Sequence, residues 1–129
     1  MNKIQIQSNS ENIEISKIKN IIVDCLDVFK IKNAHLNIIF ISAEEITELN
    51  CKYRNINRPT DVLSFPQAKI PNQKIVLLGD IVISLDDVNK KNEEIEDVVK
   101  HGLLHLLGYD HEENESDWNK AAELINCNL

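Results

Sequence analysis

Three of the four histidines in this chain fall within one short run, His101-Gly102-Leu103-Leu104-His105-Leu106-Leu107-Gly108-Tyr109-Asp110-His111. His101 and His105 are four apart, so on a helix they stand one turn above each other on the same side. Gly108 then offers a helix stop, after which the chain can turn back and bring His111 up beside them. Three neutral imidazoles converging without a fourth protein ligand describe a zinc site that keeps one position open for water or substrate. The spacing therefore predicts a metal centre on His101, His105 and His111, and the open position points to catalysis.

The element that must carry the first two is a helix over about Glu93 to Leu107. Ile95, Val98, Val99, Gly102, Leu103 and Leu106 form its core stripe, with His101 and His105 together at the edge. Glu93, Glu94, Glu96, Asp97 and Lys100 solvate its opening turns, whereas from Gly102 to Leu107 everything except His105 is apolar or glycine. A histidine carried into such an interior needs partners for its ring nitrogens, because an unsatisfied buried polar group costs about 1–3 kcal/mol. A metal is one such partner. Glycine inside a helix costs roughly 1 kcal/mol against alanine, so Gly102 implies that a neighbouring element or a substrate approaches the backbone closely. Tight packing alone is an equally good reading.

The same spacing, with glycine three residues after the second histidine, occurs in the metzincin signature H-E-x-x-H-x-x-G-x-x-H. There a glutamate follows the first histidine and serves as general base. Here Gly102 stands in its place, so a peptidase would lack its base and that reading ranks second.

Around this helix, strands are expected at Ile4 to Gln7, Leu36 to Ile41, Val62 to Phe65 (ended by Pro66) and Ile75 to Ile83, the last a central strand interrupted at Gly79-Asp80. Helices are expected from Ile15 to Phe29 by their apolar spacing, and from the capping box Ser42-Ala43-Glu44-Glu45 to Arg54. A short helix capped by Ser84 should reach Lys90, and a last one should span Glu115 to Asn126. Asn55 to Thr60 reads as a loop, and Pro71-Asn72 as the turn of a hairpin-like excursion over Lys69 to Lys74. The class is α+β: residues 1–129 as a single domain, a small mixed sheet of about four strands packed with several helices, and the metal site on a central helix and the turn after it.

Composition bounds the function. At 43% hydrophobic and 27% charged, the chain is an ordinary globular protein, and no apolar run approaches the roughly 20 residues of a membrane helix. The N-terminus lacks a secretory pattern, and Cys25, Cys51 and Cys127 are odd in number and widely spaced, so a cytoplasmic protein with reduced thiols is expected. A net charge of −7 argues against binding nucleic acid by bulk electrostatics. Lys52, Arg54 and Arg58 nevertheless form a local basic group.

The histidine run resembles the signature H-G-x-L-H-L-x-G-Y-D-H of the YbeY family, the bacterial rRNA maturation endoribonucleases. Leu49-Asn50-Cys51-Lys52-Tyr53-Arg54, followed by Pro59-Thr60-Asp61-Val62-Leu63-Ser64-Phe65-Pro66, is also similar to that family, as is Leu78-Gly79-Asp80-Ile81-Val82-Ile83. The resemblance covers about residues 34–126. It implies that His101, His105 and His111 bind one zinc ion and that Arg54 joins His101 in the catalytic centre, as a catalytic or RNA-contacting residue. It also implies action on single-stranded RNA in 16S rRNA 3′-end maturation and in ribosome quality control. The chain departs from the family pattern in being short, with a compact segment between Asp80 and His101 and almost no tail.

Three neutral ligands leave the zinc charge uncompensated, which suits a phosphodiester, and the planar fork of Arg54 could clamp a phosphate oxygen. Without the resemblance, Arg54 is a solvated residue at a helix C-terminus. No general base stands out. Asp110 reads as an orienter of an imidazole or a turn cap, Glu112 and Glu113 as solvated, Thr60 and Ser64 as loop caps and turn formers, and His35 as a surface residue at a strand start. Asp80 interrupts an apolar strand; it ends the strand, bonds a neighbouring loop, lines the cleft or meets a ribosomal partner. With aromatics only 5% of the chain, an extended base-stacking platform is not expected. Targeting of a monomer by docking on the small ribosomal subunit or an associated protein is. The remaining alternative, a non-catalytic assembly factor with a structural metal, requires a fourth ligand such as Asp110 or Cys127.

Overall fold

A computed structural model describes residues 2–8, 13–67 and 74–128. The elements run β1 (Lys3–Gln7), α1 (Ile15–Val28), β2 (Ala34–Ile41), α2 (Ala43–Arg54), β3 (Val62–Pro66), β4 (Val76–Ser84), α3 (Leu85–Lys90), α4 (Ile95–Leu106) and α5 (Glu115–Leu124). The strands form one mixed sheet in the order β1-β2-β4-β3, with β1, β2 and β4 parallel and β3 antiparallel at the edge beside β4. The expected α+β class and four-stranded sheet are both present. The turn expected at Pro71-Asn72 lies outside the described residues. No helix among the described residues is long and apolar enough to cross a membrane.

Alternation along β2 explains the layering. Ala34, Leu36, Ile38 and Phe40 are buried while the residues between them are half-buried. With Ile81 and Ile83 of β4 they pack against α1, α4 and α5, through Ile22 and Leu26, Val98 and Leu103, and Ala121. Each fully buried isoleucine or leucine contributes about 1.5–3 kcal/mol. On the other side of the sheet, Ile46 of α2 covers Leu63 and Val82 in a second, smaller cluster.

The capping box that opens α2 forms as its sequence predicts. Ser42 Oγ accepts from the Glu45 N–H at 3.1 Å, and Glu45 Oε1 accepts from the Ser42 N–H at 3.4 Å. Twelve residues later the helix ends at Arg54, where Lys52 and Arg54 face the negative end of its dipole. That start and that length decide where Arg54 emerges.

Several local readings change. β2 begins at Ala34, so His35 lies inside a strand, half-buried and paired with Lys3 and Leu77, rather than on the surface at a strand start. β4 is continuous through Gly79-Asp80. The register shift opposite His35 and Leu36 makes a bulge there, with Gly79 at φ +126°, a conformation in which any Cβ would collide with the Phe65 carbonyl. Ser84 sits at the N-cap of α3 without capping it, because its hydroxyl donates instead to Asp87 Oδ2 at 2.7 Å. Helices α1, α4 and α5 each fall a residue or two short of their expected ends.

Candidate metal centre

Helix α4 enters the core as its sequence requires, with Glu96 and Asp97 in its first turn and Val98, Val99, Leu103 and Leu106 buried. Leu104 is buried as well, because α1 and α5 both pack on α4 in addition to the sheet. At Gly102 an added Cβ would stand 2.7 Å from Ile81 Cγ2 and 3.3 Å from Val62 Cγ2. Ser64, a residue of β3 rather than of a turn, donates its hydroxyl to the Gly102 carbonyl at 3.0 Å. What approaches this backbone is therefore the sheet. Gly102 sets how deeply α4 seats on β3 and β4, and with it the height of His101 and His105.

The end of α4 folds into a Schellman turn. The Gly108 N–H donates to the His105 carbonyl at 3.1 Å and the Tyr109 N–H to the Leu104 carbonyl at 3.0 Å, with Gly108 at φ +95°. Asp110 caps the next turn, its Oδ1 accepting from the Glu112 N–H at 2.9 Å. Asn114 then caps α5, accepting from the Asp117 N–H at 3.1 Å. His111 is thus carried on a short turn between two capped helix ends. Space is open around Gly108, so only its backbone angle demands glycine. Gly108→Ala should cost about 1–2 kcal/mol, whereas Gly108→Asn should cost less, since asparagine already occupies the left-handed region at Asn33, Asn55, Asn92 and Asn126. Equal losses for the two variants in thermal unfolding would contradict this account.

The structure brings the three expected histidines together. His101 Nε2 and His105 Nε2 are 3.2 Å apart. Ring centroids are separated by 4.8 Å for His101 and His105, 6.0 Å for His101 and His111, and 6.1 Å for His105 and His111. Two nitrogens held at about 2.0–2.1 Å by one tetrahedral zinc stand roughly 3.3 Å apart, so the first pair already has ligand spacing. His111 stands farther out, and among the described residues no group of three or more His, Cys, Asp or Glu side chains is drawn into a complete ligand set. The donor types suit zinc, with His101 and His105 at ligand spacing and the His111 ring centroid 6.0 and 6.1 Å from theirs.

Burial, then the neighbouring His105 ring, pushes His101 down to about 4. Burial likewise holds His105 below the usual histidine range, opposed by Asp110 and assisted by His111 and Arg54. Both rings are consequently neutral at pH 7, the form that ligates metal. Of the two alternative fourth ligands, Asp110 lines the cleft of the histidines and acts on His105, and Cys127 is not among the cleft residues. Asp110 Oδ1 is engaged in its turn, and Cys127 Sγ donates to the Asp97 carbonyl at 3.6 Å.

A cleft of about 610 Å3 opens on the imidazoles, lined among others by Arg54, Asp61, Ser64 and Tyr109. Of the basic group, Lys52 lies over the Tyr53 ring at 5.2 Å and Arg58 is not among the cleft residues, so Arg54 alone reaches the site. Asp80 is also outside it. Its Oδ1 accepts from Asn37 Nδ2 of the neighbouring strand at 2.9 Å. Thr60 lines the cleft and donates to Asp61 Oδ1 at 3.2 Å.

Two residues of the site carried no signal of their own in the sequence. Trp118 of α5 lies with its ring centroid 5.0 Å from His101, 5.0 Å from His105 and 5.2 Å from His111. Asp61, at the start of β3, puts a negative charge where His101 feels it. Burial raises the Asp61 carboxyl, but hydrogen bonding with Glu93, the Lys91 ammonium at 3.5 Å, the Val62 N–H and Thr60 outweigh it and hold it below the carboxylate range. Glu93 is the counterpart, pushed up to about 7 by burial and by Asp61 facing it. A carboxyl raised in the folded state contributes stability that is complete below its unfolded value, 4.5 here, and lost as pH climbs through 7. His101, lowered from 6.5 to about 4, acts in the opposite sense and loses stability as pH falls across that range. The difference between Glu93→Gln and wild type isolates the first effect. In denaturant unfolding of metal-free protein, the variant should gain on wild type steadily from pH 4.5 to above 7; a pH-independent difference would count against the pairing.

Comparison with known proteins agrees with the geometry. The family model described as Endoribonuclease YbeY matches residues 3–125. A protein named Endoribonuclease YbeY from Sulfurihydrogenibium sp. (strain YO3AOP1) is 41% identical, over 99% of this chain and 95% of its own length. Another of that name, from Aquifex aeolicus, is 34% identical, over 97% and 88%. The solution structure of TM1509 from Thermotoga maritima superposes with a TM-score of 0.58 at 28% identity, covering 95% of this chain and 87% of that one. With signature histidines gathered on one cleft and the family match running through all nine elements, the chain belongs to the YbeY family of endoribonucleases.

Proposed function

We propose that this chain is a zinc-dependent endoribonuclease that cuts single-stranded RNA, with His101, His105 and His111 as the zinc ligands and Arg54 as the phosphate clamp. The observation that carries the reading is the 3.2 Å approach of His101 Nε2 and His105 Nε2 on the wall of a cleft that Arg54 also lines. Zinc bound there supplies Lewis acidity toward a phosphodiester oxygen and makes water a usable nucleophile at neutral pH. Arg54 presents its planar fork to the non-bridging oxygens and stabilises charge that grows on them during transfer. Asp61 keeps a negative charge beside His101, balancing a cation at that end of the cleft. Gly102 leaves no room for the glutamate a peptidase would use at that position, because Ile81 is already too close for a Cβ.

The RNA is a 16S rRNA precursor cut in 3′-end maturation or ribosome quality control, in the cytoplasm. A chain of net charge −7 gains little from long-range attraction to RNA, so docking on the small ribosomal subunit or a protein associated with it supplies the targeting. The test is cleavage of an oligonucleotide carrying an rRNA 3′ end, offered single-stranded and as a duplex. Cutting of the single strand that stops on chelation and returns with one equivalent of zinc supports the proposal. Cutting that survives metal removal refutes it.

A further inference from the structure

Trp118 is the single tryptophan of the chain and is only 4% exposed. Its helix begins just after the turn that carries His111 and packs on α4, which carries the other two histidines. The indole consequently meets all three imidazoles, with centroids at 5.0, 5.0 and 5.2 Å and interplanar angles of 65°, 45° and 58°. These are edge-to-face and tilted aromatic contacts, which hold a ring in one orientation more firmly than aliphatic packing does. Imidazoles bound to a divalent cation become electron-poor, and among side chains the indole face stabilises neighbouring positive charge best. Trp118 belongs to the buried core, and it is the residue of that core whose ring touches all three imidazoles, which come from two separate segments.

We propose that Trp118 is the positioning residue of the metal centre, its indole restricting the rings of His101, His105 and His111 to orientations from which they take up one metal ion. This rests on the zinc reading above.

The test compares wild type with Trp118→Leu and Trp118→Phe, each checked for folding by circular dichroism and thermal unfolding. Zinc affinity is measured by competition with a chromophoric chelator, and cobalt serves as the spectroscopic probe. Trp118→Leu should weaken zinc binding roughly 10–100-fold, the range typical of groups that orient metal ligands, and should change the cobalt absorption bands. Trp118→Phe, which keeps an aromatic face, should restore most of the affinity and the wild-type band shape. In the wild type, titration with cobalt should quench the lone tryptophan emission to saturation at one equivalent, a readout that needs no variant to fold. Wild-type affinity and spectrum in Trp118→Leu, or cobalt binding that leaves the emission untouched, overturns the inference alone. A wild type that binds neither metal overturns it together with the zinc reading.

Discussion

Replacing His105 with alanine will yield a folded protein that retains no stoichiometric zinc and cuts single-stranded RNA at least about 100-fold more slowly. Partners that merely orient a ligand already cost about 10–100-fold when removed, so loss of a ligand must cost more. His105 is one half of the pair at ligand spacing, its Nε2 3.2 Å from that of His101, and without it only His101 and the outlying His111 remain. Folding should survive. The His105 ring is half-buried at the last turn of α4, and the core of that helix rests on Val98, Val99, Leu103 and Leu104. Zinc content by atomic emission, thermal unfolding and cleavage rate on the same sample separate these effects. A variant that keeps one zinc and wild-type cleavage would remove His105 from the centre.

The second large effect is at Arg54. Arg54→Ala should keep its zinc and lose roughly 100–1,000-fold in cleavage, the loss seen when one preorganised donor to developing charge is removed. Arg54→Lys should recover only part of that, because an ammonium cannot reproduce a fork bidentate to phosphate. The side chain is exposed at the end of α2 and makes no contact on which the core depends. Any loss of stability comparable to the loss of rate would therefore be unexpected, and unchanged cleavage would dismiss Arg54 from the mechanism.

The histidine pair was legible because a helix converts spacing directly into a shared face, and Gly108 because a left-handed turn has few other occupants. Arg54 was legible only through the family resemblance: the capping box at Ser42 and the length of α2 fix where it emerges, but by themselves they describe a solvated residue at a helix C-terminus. Gly102 was half legible. Its presence announced a close approach, yet only the fold shows that the neighbour is Ile81 and not a substrate. Asp61 stood out only as part of the 59–66 stretch, since it reaches His101 by packing between distant segments, and Trp118, although near His111 in the chain, meets all three imidazoles only because α5 docks on α4. The bulge at Gly79 was misjudged as an interruption because the extra residue only has meaning against the register of β2. His35 likewise turned out to be inside β2 because parallel pairing with β1 and β4 extends that strand beyond its apolar run.

Zinc-edge X-ray absorption on the protein loaded with one equivalent of metal measures the ligand set itself. Three imidazole nitrogens at about 2.0–2.1 Å and a single further oxygen from outside the protein are predicted. Fewer than three imidazoles, a sulfur at about 2.3 Å, or a fourth ligand supplied by the protein would contradict an open three-histidine centre.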